Sequence, residues 1–491
     1  MKSLASILIV LYACVLSLLP VSALEEAPAA PPAETQNKFT SRVQGILDHT
    51  CLKKENIGLQ IVSLDQNDTL FALNDGDLFS PASNVKLITT AAALKFLGPD
   101  YRFNTTLYTD GRRKGNTLEG HLYLKGGGDP FLVSEEVWLM AKDLKNLGIR
   151  RVTGDFVVDD SYFDDDRIGN GWGKNPGAQA YNARIGATSL NFNTVTVYVS
   201  PGETVGSPPE VVIDPPTAYI KVENTATTTD KRGRKRLIIN RVPGEGRDVI
   251  TITGNIASTA GRERYLLNVT NPLFFAASAF REFLEEAGIH VEGKTRYEPA
   301  PPKAVELVNH ESKPLAFIVR GLNKYSNNFT AEQLLKSMGA VASGPPGSFA
   351  KGLGQVHSYL AGLGITKESY VLEDGSGLSR LNRVMPRHLV AILKDVYGDF
   401  KIRPEYMASL SIMGVDGSVQ RRMGDLDSVR YRTRVKTGTL NGVNALSGYV
   451  SAKNGEALAF SMLMNYKNGC YPRKVLDLQD EIVKAMTEFE R

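Results

Sequence analysis

The chain has 491 residues, 42% hydrophobic and 22% charged, with a net charge of +4. This is ordinary globular composition for two or three domains, which excludes a disordered or fibrous chain. The basic excess is too small for a nucleic-acid binder but compatible with an anionic polymer as partner.

Lys2, an apolar run to Leu19 and the small residues of PVSA read as a signal peptide over 1–23. Residues 24–38, LEEAPAAPPAETQNK, read as a disordered tether. The protein is therefore expected to be exported, to a periplasm or, in an organism lacking an outer membrane, to the cell wall. No later segment is apolar enough to span a membrane, so peripheral contact is the most expected. A helix, FTSRVQGILDHTCL, and a hairpin, IGLQIVSLD with DTLFALN, come next. FSPASNVKLITTAAALKFLG (79–98) then reads as a buried helix, with Ser80 as N-cap, Pro81 at the first helical position and Gly98 as the stop.

Nothing between Lys86 and Lys95 is charged, and a helix apolar on all sides belongs in a core. An ammonium there must find polar partners or lose its proton. Ser83 lies three residues earlier on the same helix face, where a neutral Lys86 amine can take its proton. The backbone N–H of Ser83, in the first turn, is half of an oxyanion hole. Alone, Ser-x-x-Lys arises by chance about twice in such a chain, and it fits a capped helix with a snorkelling lysine equally well.

From Tyr101 short alternating strands dominate, interrupted by EEVWLMAKDLKNLG and PLFFAASAFREFLEEAG. After Ala304 helices return, then three strands turning at Asn454-Gly455, then a final helix. The pattern predicts one discontinuous domain over 39–100 and 305–491, its sheet assembled from both chain ends, with 101–304 as a β-rich insertion. Beyond the signal peptide the cysteines are Cys51, before the first strand, and Cys470, after the last. If those strands pair antiparallel the cysteines share one end of the sheet, and an exported protein is expected to join them. The six histidines form no HExxH or Cys/His cluster, so no metal site is expected.

KYSNNFTAEQLLK places Ser326-Asn327-Asn328 where a loop enters a helix. RVKTGTLNG places Lys436-Thr437-Gly438-Thr439 at a strand end, where Gly438 lets a ligand approach the backbone beside a cation and two hydroxyls. Singly, these read equally as a helix cap and a strand leaving into a turn. In order, Ser-x-x-Lys, Ser-x-Asn and Lys-Thr-Gly form the signature of penicillin-binding proteins and serine β-lactamases.

Over nearly all of its expected mature length the chain resembles the class C low-molecular-mass penicillin-binding proteins, which are D-alanyl-D-alanine carboxypeptidases and endopeptidases. Those carry extra domains between the first and second motifs. The interval from Ser83 to Ser326, more than twice that from Ser326 to Lys436, fits such an insertion. It also sets aside the Ser-Leu-Asn triplet at 189–191. DGSGLSR (374–380) and GVDGSVQRR (414–422) look like this family too.

The resemblance implies an α+β fold, a penicillin-binding/β-lactamase-like transpeptidase domain whose antiparallel sheet is flanked by helices. It implies cleavage of the terminal D-Ala–D-Ala bond of peptidoglycan stem peptides, and of D-Ala crosslinks, with β-lactams as inhibitors and no cofactor. Ser83 would be the acylated nucleophile and Lys86 its base. Ser326 and Lys436 would relay the proton to the leaving group, and Asn328 would hold the substrate amide. Thr437 and Thr439 would bind the terminal carboxylate, with the N–H groups of Ser83 and Thr439 as oxyanion hole. In VVDDSYF, Asp159 would meet a free amine of the stem peptide. A β-lactamase or esterase on the same scaffold is the rival enzyme, against which the long first interval argues. A non-catalytic wall-binding protein is the other rival, against which the intact motifs argue.

Overall fold

The computed structural model describes residues 32–173, 176–230, 236–466 and 470–491; the expected signal peptide and residues 24–31 lie outside them. Helix α1 (Pro32–Asp48) leads into strands β1 (Ile57–Ser63) and β2 (Thr69–Leu73). Residues 32–38, expected as tether, are helical instead. Proline suits the start of a helix, and Glu34 pairs with Lys38 one turn on at 2.7 Å.

The segment 79–98 is helical, but its start is not the one expected. A 3₁₀ turn, Ala82–Asn84, precedes helix α2 (Val85–Leu97), and Ser80 caps nothing. Asn465 instead takes both backbone groups of Ser80, at 2.7 and 3.0 Å. Ala82 sits at φ +46°. The turn is thus tied to the sheet rather than to its own helix. Every residue from Val85 to Leu94 is buried, as an all-apolar helix requires.

The insertion enters through β3 (Asn104–Thr109), β4 (Leu122–Gly126), helix α3 (Ser134–Asn146) and β5 (Phe156–Asp159). It continues with β6 (Thr194–Ser200), β7 (Glu210–Asp214), β8 (Glu263–Asn268), β9 (Thr295–Tyr297) and β10 (Val305–Glu311). One of its sheets has the order β9-β5-β4-β3-β10, another β7-β6-β8. Strand β10 pairs antiparallel with β3 from Val305↔Thr109 to Glu311↔Asn104, which sets the two ends of this stretch side by side. Ser312 N–H then bonds Phe103 C=O at 2.9 Å, stitching exit to entry.

The chain returns as α4 (Leu315–Tyr325), α5 (Asn328–Ser343) and α6 (Pro386–Gly398). Strands β11 (Ser411–Ile412), β12 (Thr433–Leu440), β13 (Val443–Ser451) and β14 (Ala457–Asn465) follow, then α7 (Pro472–Thr487). The main sheet has the order β2-β1-β14-β13-β12-β11, built from both chain ends and antiparallel throughout. Residues from α1 and α7, among them Val43, Leu47, Ile482 and Met486, pack in one core on this sheet. A second core surrounds α2 and α4 to α6, and a third lies within the insertion. Cys51 and Cys470 form a disulfide across one end of the sheet, Cα atoms 5.5 Å apart.

Candidate active site

The 3₁₀ turn presents Ser83, partly exposed, one helical turn before Lys86, which is fully buried. The Lys86 ammonium group reaches Ser83 Oγ at 3.0 Å, Asn328 Oδ1 at 2.7 Å and the Ser376 carbonyl at 2.5 Å. Burial pulls its pKa down to about 7, against the pull of Asp374 and Glu332, which favour the charged form. Lys86 is therefore poised between ammonium and free amine at neutral pH, within hydrogen-bond reach of the Ser83 hydroxyl it could deprotonate.

Ser326 ends α4 in the left-handed region, φ +57°, and α5 begins two residues later, capped by Asn327 on Thr330 N–H at 3.0 Å. That break between two helices turns Ser326 and Asn328 into the same cleft as Ser83. Lys436, fully buried on β12, donates to Ser326 Oγ at 2.9 Å and to the Thr437 carbonyl at 2.8 Å. Burial and then the nearby Lys86 hold its pKa well below the ordinary lysine value. Thr437 exchanges a hydroxyl hydrogen bond with Ser418 at 2.7 Å, and Thr439 lines the cleft.

Gly438 is closely approached on the side facing the Ser83 turn. A Cβ there would meet the Pro81 carbonyl at 2.7 Å and Ala445 at 3.1 Å. The missing side chain lets β12 close onto the turn carrying Ser83. Gly377 makes the matching approach from the other flank. It sits at φ +82°, and a Cβ would lie 1.9 Å from the Ala82 carbonyl.

Asp159 does not reach the cleft. Its side chain is 1% exposed, and its oxygens accept from Ser161 N–H and Ala300 N–H, both at 2.9 Å. Strand β5 lies inside its sheet with both faces covered, so Asp159 is buried as a structural acceptor, beside Lys125 at 3.8 Å.

Three residues of the site were given no role by the sequence, although Asp374 opens the DGSGLSR segment noted there. Glu332, one turn past Asn328 on the same face of α5, is fully buried and accepts the N–H groups of Gly375 at 3.1 Å and Ser376 at 2.8 Å. It thereby holds the loop whose Ser376 carbonyl receives Lys86. Burial, reinforced by Asp374, pushes its pKa up to about 8. Asp374 gathers the same loop, accepting Gly377 N–H at 2.8 Å, Ser379 N–H at 2.7 Å and Asn382 at 2.8 Å. Trp172, from the insertion, donates its indole N–H to Asp374 at 2.9 Å and walls the cleft. An acid at i+4 from Asn328 in a buried helix was the available signal for Glu332. Among the described residues no group of three or more His, Cys, Asp or Glu is placed to hold a metal ion.

The profile of the D-Ala-D-Ala carboxypeptidase 3 (S13) family matches residues 40–488. A D-alanyl-D-alanine carboxypeptidase from Actinomadura sp. (strain R39) is 34% identical over 490 residues, covering 96% of this chain and 89% of that protein. The crystal structure of penicillin binding protein 4 from Haemophilus influenzae superposes with a TM-score of 0.79 at 25% identity, covering 91% of this chain and 99% of that one. The same Haemophilus protein complexed with a β-lactam gives a TM-score of 0.72 at 25% identity, covering 90% and 98%.

Proposed function

The chain belongs to the D-Ala-D-Ala carboxypeptidase 3 (S13) family, serine-type peptidases, and on that premise we propose that Ser83 is its acylated nucleophile and Lys86 the base that activates it. The contact of 3.0 Å between Lys86 and Ser83 Oγ, with Lys86 drawn down to about 7, carries this reading. The amine takes the Ser83 proton as Oγ attacks the penultimate D-Ala carbonyl of a peptidoglycan stem peptide. The backbone N–H groups of Ser83 and Thr439 receive the developing oxyanion. Ser326, held by Lys436, hands a proton to the departing D-alanine, whose carboxylate lies against Thr437 and Thr439. Asn328 orients the substrate amide while fixing Lys86. Water then releases the acyl group from Ser83.

The same nucleophile opens the strained amide of a β-lactam and keeps it as an ester. Because the insertion reaches the cleft through Trp172 and Tyr181, its contribution is substrate selection rather than acylation. Export to the cell envelope follows from the expected signal peptide, and among the described residues no helix is long and apolar enough to cross a membrane. Peptide mapping after penicillin labelling tests the assignment: the adduct is expected on Ser83, and an adduct on any other serine overturns it. Incubation with a stem pentapeptide is expected to release free D-alanine.

A further inference from the structure

A second groove, of about 530 Å³, starts at the Ser326 turn and runs away from Ser83 along the insertion. It shares Tyr181, Ser326 and Asn328 with the cleft described above, so the two are continuous. Its far wall is one face of the β7-β6-β8 sheet. Asp214, Thr196 and Leu266 stand in line across the three strands, and Arg264 is two residues from Leu266 on the same face. Glu135, at the start of α3, closes one end, and Tyr325, 79% exposed, stands on the opposite rim. Among the described residues none of Glu135, Asp214 and Arg264 is paired with an opposite charge, although all three border this groove.

The position of the groove relative to the chemistry points to its occupant. The leaving amine must lie against Ser326, which supplies its proton, and the groove opens from that residue. When the leaving group is free D-alanine, nothing extends into it. When it is the amino acid of a crosslink, the side-chain arm and the peptide strand it carries must go somewhere beyond Ser326. That strand offers carboxylates, for which Arg264 is the available cation, and amide N–H groups, for which Asp214, Glu135 and Thr196 are acceptors.

We infer that this groove is the subsite for the leaving peptide strand of a crosslinked substrate. The inference rests on the acyl-enzyme reading of Ser83. In the step it serves, the amide between a D-Ala carbonyl and the crosslinking amine breaks. The acyl half stays on Ser83 Oγ, the amine takes a proton through Ser326, and water later frees the acyl half as a carboxylate.

The test compares wild type, Arg264→Glu and Leu266→Trp on a monomeric stem pentapeptide and on a purified crosslinked dimer, with penicillin acylation in parallel. Reversing the charge or filling the groove is expected to lower kcat/KM on the dimer about 10-fold. Pentapeptide cleavage and penicillin acylation should stay within about 2-fold, which also establishes that the variants fold. Equal losses on both substrates, dimer cleavage unchanged in both variants, or a wild type that trims the pentapeptide but leaves the dimer intact would each overturn the inference. A wild type that neither trims pentapeptide nor acylates would instead sink the Ser83 reading beneath it.

Discussion

Around the two connected clefts, the domain made by the two chain ends and the region inserted in it handle charge in opposite ways. The first buries Lys86, Lys436 and Glu332 completely, each amid hydrogen bonds. The second lines its groove with Glu135, Asp214 and Arg264, left in contact with water. Removing water makes protonation states negotiable, since desolvation shifts a lysine or a carboxyl by several pKa units. Leaving a charge in water keeps its state fixed and its interactions weak and screened, which suits choosing among ligands rather than transforming them. Reactivity and selection are thus divided between two regions that meet at Ser326, Tyr181 and Trp172.

The largest effect expected from breaking this division is on stability, and it falls on one side. The disulfide between Cys51 and Cys470 spans 419 residues of sequence and staples only the domain of the chain ends. Cys51→Ser with Cys470→Ser should cost up to ~5 kcal/mol by the chain-entropy argument, read from denaturant titration. Penicillin acylation of the folded fraction should be unchanged. Next comes Lys86→Arg, which keeps a cation in the buried site but removes the base, since guanidinium holds its proton. Acylation should slow at least ~100-fold, the usual scale for a lost general base; stopped-flow kinetics showing full reactivity would count against the division.

Acylation by the wild type should climb as pH rises through about 7, because Lys86 must shed its proton to act. Glu332 and Asp374 both favour the charged form of Lys86, while Lys436 stands as a second cation nearby. Asp374→Asn removes the acid that most favours the charged form, so the rising limb should move to lower pH; Glu332, pushed up to about 8, is largely neutral where Lys86 titrates. The rate at its plateau should drop about 10-fold as the Ser376 loop loses its anchor. A limb that stays put would mean Asp374 serves only to hold the loop. The smallest change is expected on the other side of the boundary. Trp172→Ala should raise KM for a stem pentapeptide about 5-fold and leave kcat within about 2-fold, the pattern of lost uniform binding.

How far each region could be read beforehand follows the same line. The apolar stretch around Lys86 and the sheet shared by both chain ends were legible because burial writes itself into composition and periodicity. The start of α2 was not, since Asn465, nearly 400 residues away in sequence, rather than Ser80, decides where the turn is held. Glu332 and Asp374 were missed because they act on each other and on Lys86 across three separate segments. Asp159, expected from the likeness of VVDDSYF to the family, is buried, because a short segment shows neither which strand it joins nor what covers that strand. The groove beyond Ser326 was invisible: it exists only where β6, β7 and β8 meet the break between α4 and α5.

Strands β3 and β10 lie side by side, and Ser312 is bonded back to Phe103. Chain leaves the catalytic domain and rejoins it through one narrow doorway, whatever lies between. A lineage can therefore lengthen, trim or exchange the intervening cassette without altering how Ser83 and Ser326 sit in space, provided the two doorposts still pair. Grafting the 104–311 cassette of one relative onto the chain ends of another becomes a practical way to transplant substrate preference into an unchanged reaction centre.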